Sequence, residues 1–260
     1  MSAALFDLTG RRALVTGGAQ GLGRMIAEGL LRAGAEIAIT SRKDEVVQAA
    51  AQELSSFGKV HGIAADLSTP EAAAALAKNV TNQMGGCDIL INNAGKTWGA
   101  PLERFPDYAW PGVMAVNVQT PFTLVRELLP LLRSRASSEN PSRVINIGSV
   151  AGMKTERLSA YSYAASKAAI HMLTRDLAGD LARDNITVNA LVPGFFPTKM
   201  TAHMRDEEKG VAPSLLAHIP MHRLGRESDI AGAAVFLASS AGAYVTGVLL
   251  PVDGGLVGCG

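Results

Sequence analysis

Short β-branched or aliphatic runs alternate along the chain with longer, alanine-rich stretches whose apolar positions recur at helical spacing. Residues 12–16 (RALVT), 36–40 (EIAIT), 60–65, 88–92 (DILIN), 143–147 (RVINI), 187–191 (TVNAL) and 248–252 (VLLPV) read as seven strands. Residues 22–33 and 44–56 read as helices, and Pro70 opens another at the first-turn position where proline is tolerated. Strands that alternate with helices predict an α/β fold: a doubly wound parallel sheet with helices on both faces. No repeat or low-complexity linker divides the chain, so residues 1–260 are expected to form a single domain, with the polar stretch 134–142 (SRASSENPS) an exposed loop. The rhythm breaks at 195–221, where Phe195, Phe196, Met200, Met204, Leu215, Leu216, Ile219 and Met221 are spaced by polar residues. That segment follows a strand end, the edge of an open α/β sheet where ligands bind. It is expected to be a substrate lid; the plainer alternative is a surface helix pair packed on the core.

Composition narrows the class. Of the 260 residues 18% are charged, below the roughly 25% of an average globular protein. This suits a sheet buried on both faces, or surface hidden in an oligomer. Net charge is +1 and no Lys/Arg block stands out, which argues against nucleic acid as a partner. Cys87 and Cys259 form no Cys-x-x-Cys pair and read as reduced thiols of a cytoplasmic protein. The 5 histidines show no metal-ligand spacing, so no metal is expected. No basic-then-apolar leader and no run of ~18 apolar residues is present, so neither a signal peptide nor membrane association is expected.

The first strand runs into Thr16-Gly17-Gly18-Ala19-Gln20-Gly21-Leu22-Gly23, and a helix follows. Glycines Gly17, Gly21 and Gly23 permit a tight turn, close approach of backbone N–H groups to a pyrophosphate, and close helix–strand packing. The helix N-terminus then faces the anion. An ordinary strand-to-helix loop could look the same. The second strand ends Thr40-Ser41-Arg42-Lys43, with no carboxylate to take a ribose 2′-hydroxyl. Arg42 can pair with a 2′-phosphate and Ser41 can donate to it, so the dinucleotide is expected to be NADP(H). The alternative is a solvated basic pair. Asp66, at the head of Asp66-Leu67-Ser68, could as a bare feature cap a helix.

Tyr163 and Lys167 lie four residues apart in Tyr163-Ala164-Ala165-Ser166-Lys167 and share one helix face. A phenol with a pKa of about 10 is a poor proton carrier near neutrality. An adjacent ammonium would lower that value and suit reversible acid/base work on a carbonyl, and Lys167 can also bind the nicotinamide ribose. Such a pair is more often a plain surface pair. Ser149 follows a strand, where a hydroxyl could hold a substrate oxygen beside Tyr163; alone it reads as a turn serine. No histidine neighbours it in sequence and no Gly-x-Ser-x-Gly elbow contains it, which excludes a serine hydrolase. Asn117 reads on its own as a buried structural amide.

The Gly-x-x-x-Gly-x-Gly spacing, followed by Asn93-Ala94-Gly95, Asn117, Ser149, Tyr163, Lys167, Pro193-Gly194 and Val252-Asp253-Gly254-Gly255, resembles the short-chain dehydrogenase/reductase family across nearly the whole chain. The resemblance implies a Rossmann-like fold and an oxidoreductase that moves a hydride between nicotinamide and a carbonyl or secondary alcohol. It implies that Asp66, with Leu67, contacts the adenine, and that the stretch Asn92-Asn93-Ala94-Gly95 lines the cofactor ribose, through Asn93, Ala94 and Gly95, and braces the sheet. It also implies that Asn117 supports Lys167 in a proton relay, and that Pro193, Gly194, Phe196 and Thr198 hold the nicotinamide carboxamide. A homotetramer built on helices corresponding to 120–133 and 163–182 is implied as well. Ala164, Ala165, Ala168 and Ala169 would permit close helix packing there, though they also suit an ordinary helix–sheet contact. Within the family the chain looks most like the 3-oxoacyl-acyl-carrier-protein reductases of the rhamnolipid-biosynthesis type. That likeness rests on Trp98-Gly99-Ala100, Ser137-Ser138-Glu139-Asn140-Pro141, 144–152 (VINIGSVAG), Ile219-Pro220-Met221 and Gly225-Arg226. The implied substrate is a 3-oxoacyl or related carbonyl compound, possible on a carrier protein. One residue more than is usual in the family separates Ser149 from Tyr163, which bears on substrate shape. Two rivals stay open: a sugar-acid, polyol or steroid dehydrogenase of the same fold, and a catalytically silent dinucleotide-binding scaffold.

Overall fold

The computed structural model of the chain describes residues 2–155, 158–198, 205–206, 210–211 and 213–259. After a short helix α1 (Ser2–Leu5), strands and helices alternate: β1 (Arg12–Val15), α2 (Gly21–Arg32), β2 (Glu36–Ser41), α3 (Asp44–Leu54), β3 (Val60–Ala64), α4 (Pro70–Met84) and β4 (Ile89–Asn92). Then come α5 (Ala109–Met114), a π-turn (Ala115–Gln119), α6 (Thr120–Ser134), β5 (Ser142–Ile147), α7 (Tyr161–Leu181) and β6 (Ile186–Pro193). A two-residue ribbon, β7 (Arg205–Asp206) with β8 (Gly210–Val211), precedes α8 (Pro213–Ala217), α9 (Glu227–Ala238) and β9 (Leu249–Val252).

The seven expected strands form one parallel sheet in the order β3-β2-β1-β4-β5-β6-β9. The chain builds outward from β1 to β3, crosses back to β4, and builds outward again on the other side. This is the doubly wound arrangement that the hydrophobic pattern predicts, with strand ends otherwise differing by at most one residue. β6 is the exception, running on to Pro193 because its last residues pair with β9.

Side-chain alternation along the strands feeds two cores. Val15, Ile39, Ile91 and Ile145 stand in register across four strands and pack under α2, α3 and α9. Leu14, Ala38, Leu90, Val144 and Val188 face the other way and pack under α4, α6 and α7. Helix α4 shows how local signals set an element: Thr69 accepts from the Ala72 N–H, Pro70 takes the first turn, and left-handed Gly85 ends the helix. Thr69 therefore does the capping that Asp66 could have done.

One element is new and one expectation changes. Residues 109–134 are one near-continuous helical stretch interrupted by the π-turn, a local widening that often marks functional sites. In 195–221 the described residues hold a ribbon and one five-residue helix, not a helix pair. Met200 and Met204 lie outside the described residues, so the lid stays a proposal.

The amino edge of the sheet carries a buried ionic cluster. Asp88 is fully buried and accepts from the Arg12 N–H at 2.8 Å, with Arg135 at 3.4 Å and the Arg11 charge nearby. Arg143, also fully buried, donates to the carbonyls of Pro141 and Ser239, and burial pushes its pKa down to about 10. Asp88→Ala is expected to cost about 3–5 kcal/mol in urea unfolding, because a buried guanidinium loses its counter-charge. Arg135→Ala, on a half-exposed partner, should cost under about 1 kcal/mol in the same measurement.

Candidate active site

The reversal of winding between β1 and β4 opens a crevice at the carboxyl edge, and the turns after both strands meet there. Asn93 ties them together: its amide donates to the Thr16 carbonyl at 2.8 Å and the Gly17 carbonyl at 3.2 Å. The backbone N–H groups of Asn93 and Ala94 both donate to the Thr16 hydroxyl at 2.9 Å. Asn93 thus spends its amide hydrogens on the turn, a supporting task beyond the ribose lining that the resemblance implies. Gly17 and Gly21 both adopt positive φ. A Cβ at Gly23 would collide with the Asn93 amide nitrogen and the Gly17 carbonyl oxygen, so glycine is required there. Leu22 packs on the core below. Helix α2 begins without a side-chain cap, which leaves its first N–H groups for a ligand.

The flanks of this crevice fit a dinucleotide phosphate. Ser41 ends β2, and Arg42 beside it is exposed, with no hydrogen-bond or ion-pair partner among the described residues. Asp66 is likewise exposed and unpaired, while Leu67 is buried with its carbonyl accepting from Thr120 at 2.8 Å. On the far side, β6 delivers Pro193 and Gly194. The Gly194 N–H donates to the Val252 carbonyl, and a Cβ on Gly194 would come 2.9 Å from Asp253. Phe196 is buried under Gly225. Thr198 stands opposite Gly21, 3.7 Å from where a Cβ of that residue would lie. The loop after β6 therefore faces the glycine turn.

Between these flanks, α7 presents a polar stripe to the sheet: Ser162, Ser166, Lys167, His171 and Thr174 are all buried. Tyr163 is half-buried, and its phenol hydrogen-bonds the Ser149 hydroxyl. Burial raises the Tyr163 pKa, and the bond from Ser149 only partly offsets this. The expectation that Lys167 depresses this pKa is therefore corrected. The Lys167 ammonium turns to the Ile147 carbonyl at 2.7 Å and lies 5.5 Å from the centre of the Tyr163 ring. Burial pushes the lysine itself down to about 8.

Asn117 occupies the π-turn. Its Oδ1 accepts from the Lys96 N–H at 2.8 Å, and its Nδ2 donates to the Lys96 carbonyl and the Ser166 hydroxyl at 2.9 Å each. It reaches the helix of Lys167 through Ser166, with Gly95 alongside. Below lies a bridge of which sequence reading had the Asn92 end, implied to brace the sheet, but missed Asn146 and Thr174: Asn92 donates to Asn146 at 2.8 Å and Asn146 to Thr174 at 2.9 Å, linking β4, β5 and α7. Polar residues in apolar strands were its only sequence signal.

An aromatic wall was also missed. Phe105 meets Tyr161 edge-to-face at 5.2 Å and Trp110 at 6.2 Å, and Trp98 meets Tyr108 at 5.5 Å. The Ala100 N–H donates to the Ser159 carbonyl, so the wall's loop rests on the segment leading into Tyr163. The signal was four aromatic residues between 98 and 110 in a chain only 5% aromatic. Among the described residues no group of His, Cys, Asp or Glu could hold a metal ion, and no helix is long and apolar enough to cross a membrane.

A phosphate turn at the winding reversal, with a serine, a tyrosine and a lysine gathered at the carboxyl edge, defines an oxidoreductase of the short-chain dehydrogenase/reductase family, to which this chain belongs. A family model described as enoyl-(acyl carrier protein) reductase matches residues 17–257. The chain is 48% identical, over 96% of its length and 97% of the relative's, to the rhamnolipids biosynthesis 3-oxoacyl-[acyl-carrier-protein] reductase of Pseudomonas aeruginosa. The solved Pseudomonas aeruginosa RhlG/NADP active-site complex superposes with a TM-score of 0.94 at 47% identity, covering 98% of this chain and 99% of that one. A gluconate 5-dehydrogenase from Burkholderia cenocepacia, solved with NADP and tartrate, superposes with a TM-score of 0.91 at 33% identity, covering 100% of both chains.

Gly23→Ala is expected to displace Asn93 and the glycine turn together, at a cost of about 1–3 kcal/mol in unfolding. NADPH affinity, followed by cofactor fluorescence, should fall at least about tenfold. Unchanged affinity would show that the turn does not hold the dinucleotide.

Proposed function

We propose that this chain is an NADP(H)-dependent reductase of 3-oxoacyl or related ketone substrates, with Tyr163, Ser149, Lys167 and Asn117 as its catalytic set. The observation that carries the reading is the convergence of the Ser149 and Tyr163 hydroxyls beside buried Lys167. The whole chain acts as one dinucleotide-binding and catalytic domain, with 195–221 its substrate lid.

The residues present suit the cofactor. The glycine turn and the uncapped start of α2 receive the pyrophosphate. Ser41 and Arg42 take the 2′-phosphate, and Asp66 with Leu67 the adenine. Asn93, Ala94 and Gly95 support the ribose side. The backbone of Pro193, Gly194 and Phe196, with Thr198, takes the carboxamide. When bound, the nicotinamide supplies or accepts the hydride. Ser149 donates to the substrate oxygen and holds it at the phenol. Tyr163, kept protonated by burial, delivers its proton as that oxygen gains charge. Lys167 binds the ribose and places its charge near the ring, and Asn117 completes the relay behind it.

The aromatic wall favours an apolar acyl tail, free or on a carrier protein. A sugar-acid dehydrogenase is the second reading, favoured by the likeness to the gluconate 5-dehydrogenase. Exposed Phe122 on α6 and Met172 on α7 offer an apolar surface for a homotetramer in the cytoplasm.

The test is NADPH oxidation with 3-oxoacyl thioesters of increasing length, an enoyl thioester and keto-sugar acids, repeated with NADH. The expected result is turnover of the 3-oxo thioesters with NADPH preferred, and a preference that shrinks in Arg42→Ala. Tyr163→Phe should lose about 10²–10⁴-fold in kcat while still binding NADPH. Turnover confined to sugar acids, or to the enoyl thioester, would overturn the substrate. Full activity in Tyr163→Phe would overturn the site.

A pH profile checks the electrostatics. Lys167 is protonated below about 8 and loses its charge above it. Reduction measured as kcat/KM should therefore be level below about pH 8 and fall as the pH climbs past it. A profile flat to pH 9.5 would remove the lysine charge from the reaction.

A further inference from the structure

The stripe that α7 turns toward the sheet holds one ionisable side chain that the proposed chemistry leaves idle. His171, one helical turn beyond Lys167, is 4% exposed. Its ring sits against the short turn 148–152 that carries Ser149. Nε2 accepts a hydrogen bond from the Ser149 backbone N–H at 3.4 Å. A backbone N–H can only donate, so Nε2 is unprotonated and the neutral ring carries its proton on Nδ1. The ring also hydrogen-bonds the backbone of Gly152, and so touches both ends of the turn.

Two glycines make this contact possible. A Cβ on Gly148 would lie 2.8 Å from His171 Cδ2, and one on Gly152 would lie 2.9 Å from Cε1. The turn closes on the imidazole as tightly as glycine allows. Its internal bonds, Ala151 N–H to the Ser149 hydroxyl at 3.2 Å and Gly152 N–H to the Ser149 carbonyl at 2.9 Å, set its local shape. They do not set its placement against α7, which bears Tyr163. Beside the Tyr163–Ser149 contact and the Lys167 bond to the Ile147 carbonyl, His171 supplies the polar link from α7 to the backbone of the turn.

We propose that His171 is a positioning residue for Ser149: by accepting from the Ser149 N–H and holding the Gly148–Gly152 turn against α7, it keeps the Ser149 hydroxyl at the Tyr163 phenol. The ring is suited to a fixed acceptor. Burial first, then the charges of Lys167 and Arg175, push its pKa down to about 4 against the Gly152 bond, so it stays neutral near neutral pH.

The proposal rests on the reading that Ser149 holds the substrate oxygen, and one set of variants of the full chain separates the two. His171→Leu, His171→Gln, Ser149→Ala and the Ser149→Ala/His171→Leu double variant are compared for kcat and KM with acetoacetyl thioester and NADPH. His171→Leu should lower kcat about tenfold or more, with the KM for NADPH unchanged, because the hydroxyl is misplaced rather than lost. The Gln amide oxygen can accept where Nε2 does, so His171→Gln should stay within about threefold of wild type. In the Ser149→Ala background, His171→Leu should cost nothing further, since no hydroxyl remains to be placed. Additive losses in the double variant, or wild-type kcat in His171→Leu, would overturn the positioning role while leaving Ser149 in place. Full activity in Ser149→Ala would instead overturn the role of Ser149 itself. If the Leu variants fail to fold, His171→Gln decides alone, and a loss of about tenfold or more there overturns the proposal.

Discussion

Asn93 donates its amide hydrogens to the carbonyls of Thr16 and Gly17, and this clamp joins the two halves of the sheet where the winding reverses. The crevice, the exposed start of α2 and the closeness of Gly21 to Thr198 all follow from the position that it fixes. A parallel sheet covered on both faces leaves no lateral surface for a ligand. Chemistry is confined to the carboxyl edge, and the edge is open only where neighbouring strands send their chains in opposite directions. The requirement for glycine at position 23 has the same origin: the clamp brings the Asn93 amide and the Gly17 carbonyl into the space that a side chain would need.

The second constraint is the polar stripe of α7. Burying Ser166, Lys167, His171 and Thr174 against a sheet is unfavourable unless each finds a partner. They do: Asn117 for Ser166, the Ile147 carbonyl for Lys167, the Ser149 N–H for His171 and Asn146 for Thr174. Lys167 still carries a desolvation cost on the order of 3 kcal/mol, from a pKa near 8 in place of 10.5. A fold selected for stability alone would place leucine there. The proposed role of the ammonium in the reaction accounts for that cost, and the partners hold the helix that carries Tyr163 in one register.

Legibility in the sequence followed the range of the forces involved. The strands were readable because apolar runs of four to six residues between glycine-rich turns have few other uses, and the glycine turn because its spacing reflects local backbone geometry. The Tyr163–Lys167 pair was readable because a four-residue separation is a helical neighbour relation. What depended on burial was not readable. The balance at Tyr163 turned on desolvation exceeding the effect of the Ser149 bond, while the lysine points to the Ile147 carbonyl. Asp66 could not be separated from a helix cap until Thr69 was seen to cap α4. The π-turn at Asn117 has the residue pattern of the helices beside it. The aromatic wall and His171 act through contacts that join distant segments, and single-sequence periodicity carries no record of those.

The division between what is braced and what is not explains how one scaffold serves different substrates. Ser149 just after β5, Lys167 on α7 and Asn117 on the π-turn are each tied by hydrogen bonds to a second element, and Tyr163 on α7 meets Ser149. Moving any of them strains buried partners, so the proposed catalytic set is held in place. Trp98, Phe105 and Tyr108 lie on the segment between β4 and α5, and the wall they build rests on Trp110, on Tyr161 and on the Ala100–Ser159 bond. Substitution there disturbs few buried groups. A 3-oxoacyl reductase and a gluconate 5-dehydrogenase can therefore superpose on this chain almost equally well. The overall superposition reports the braced part and is insensitive to the few side chains of the wall.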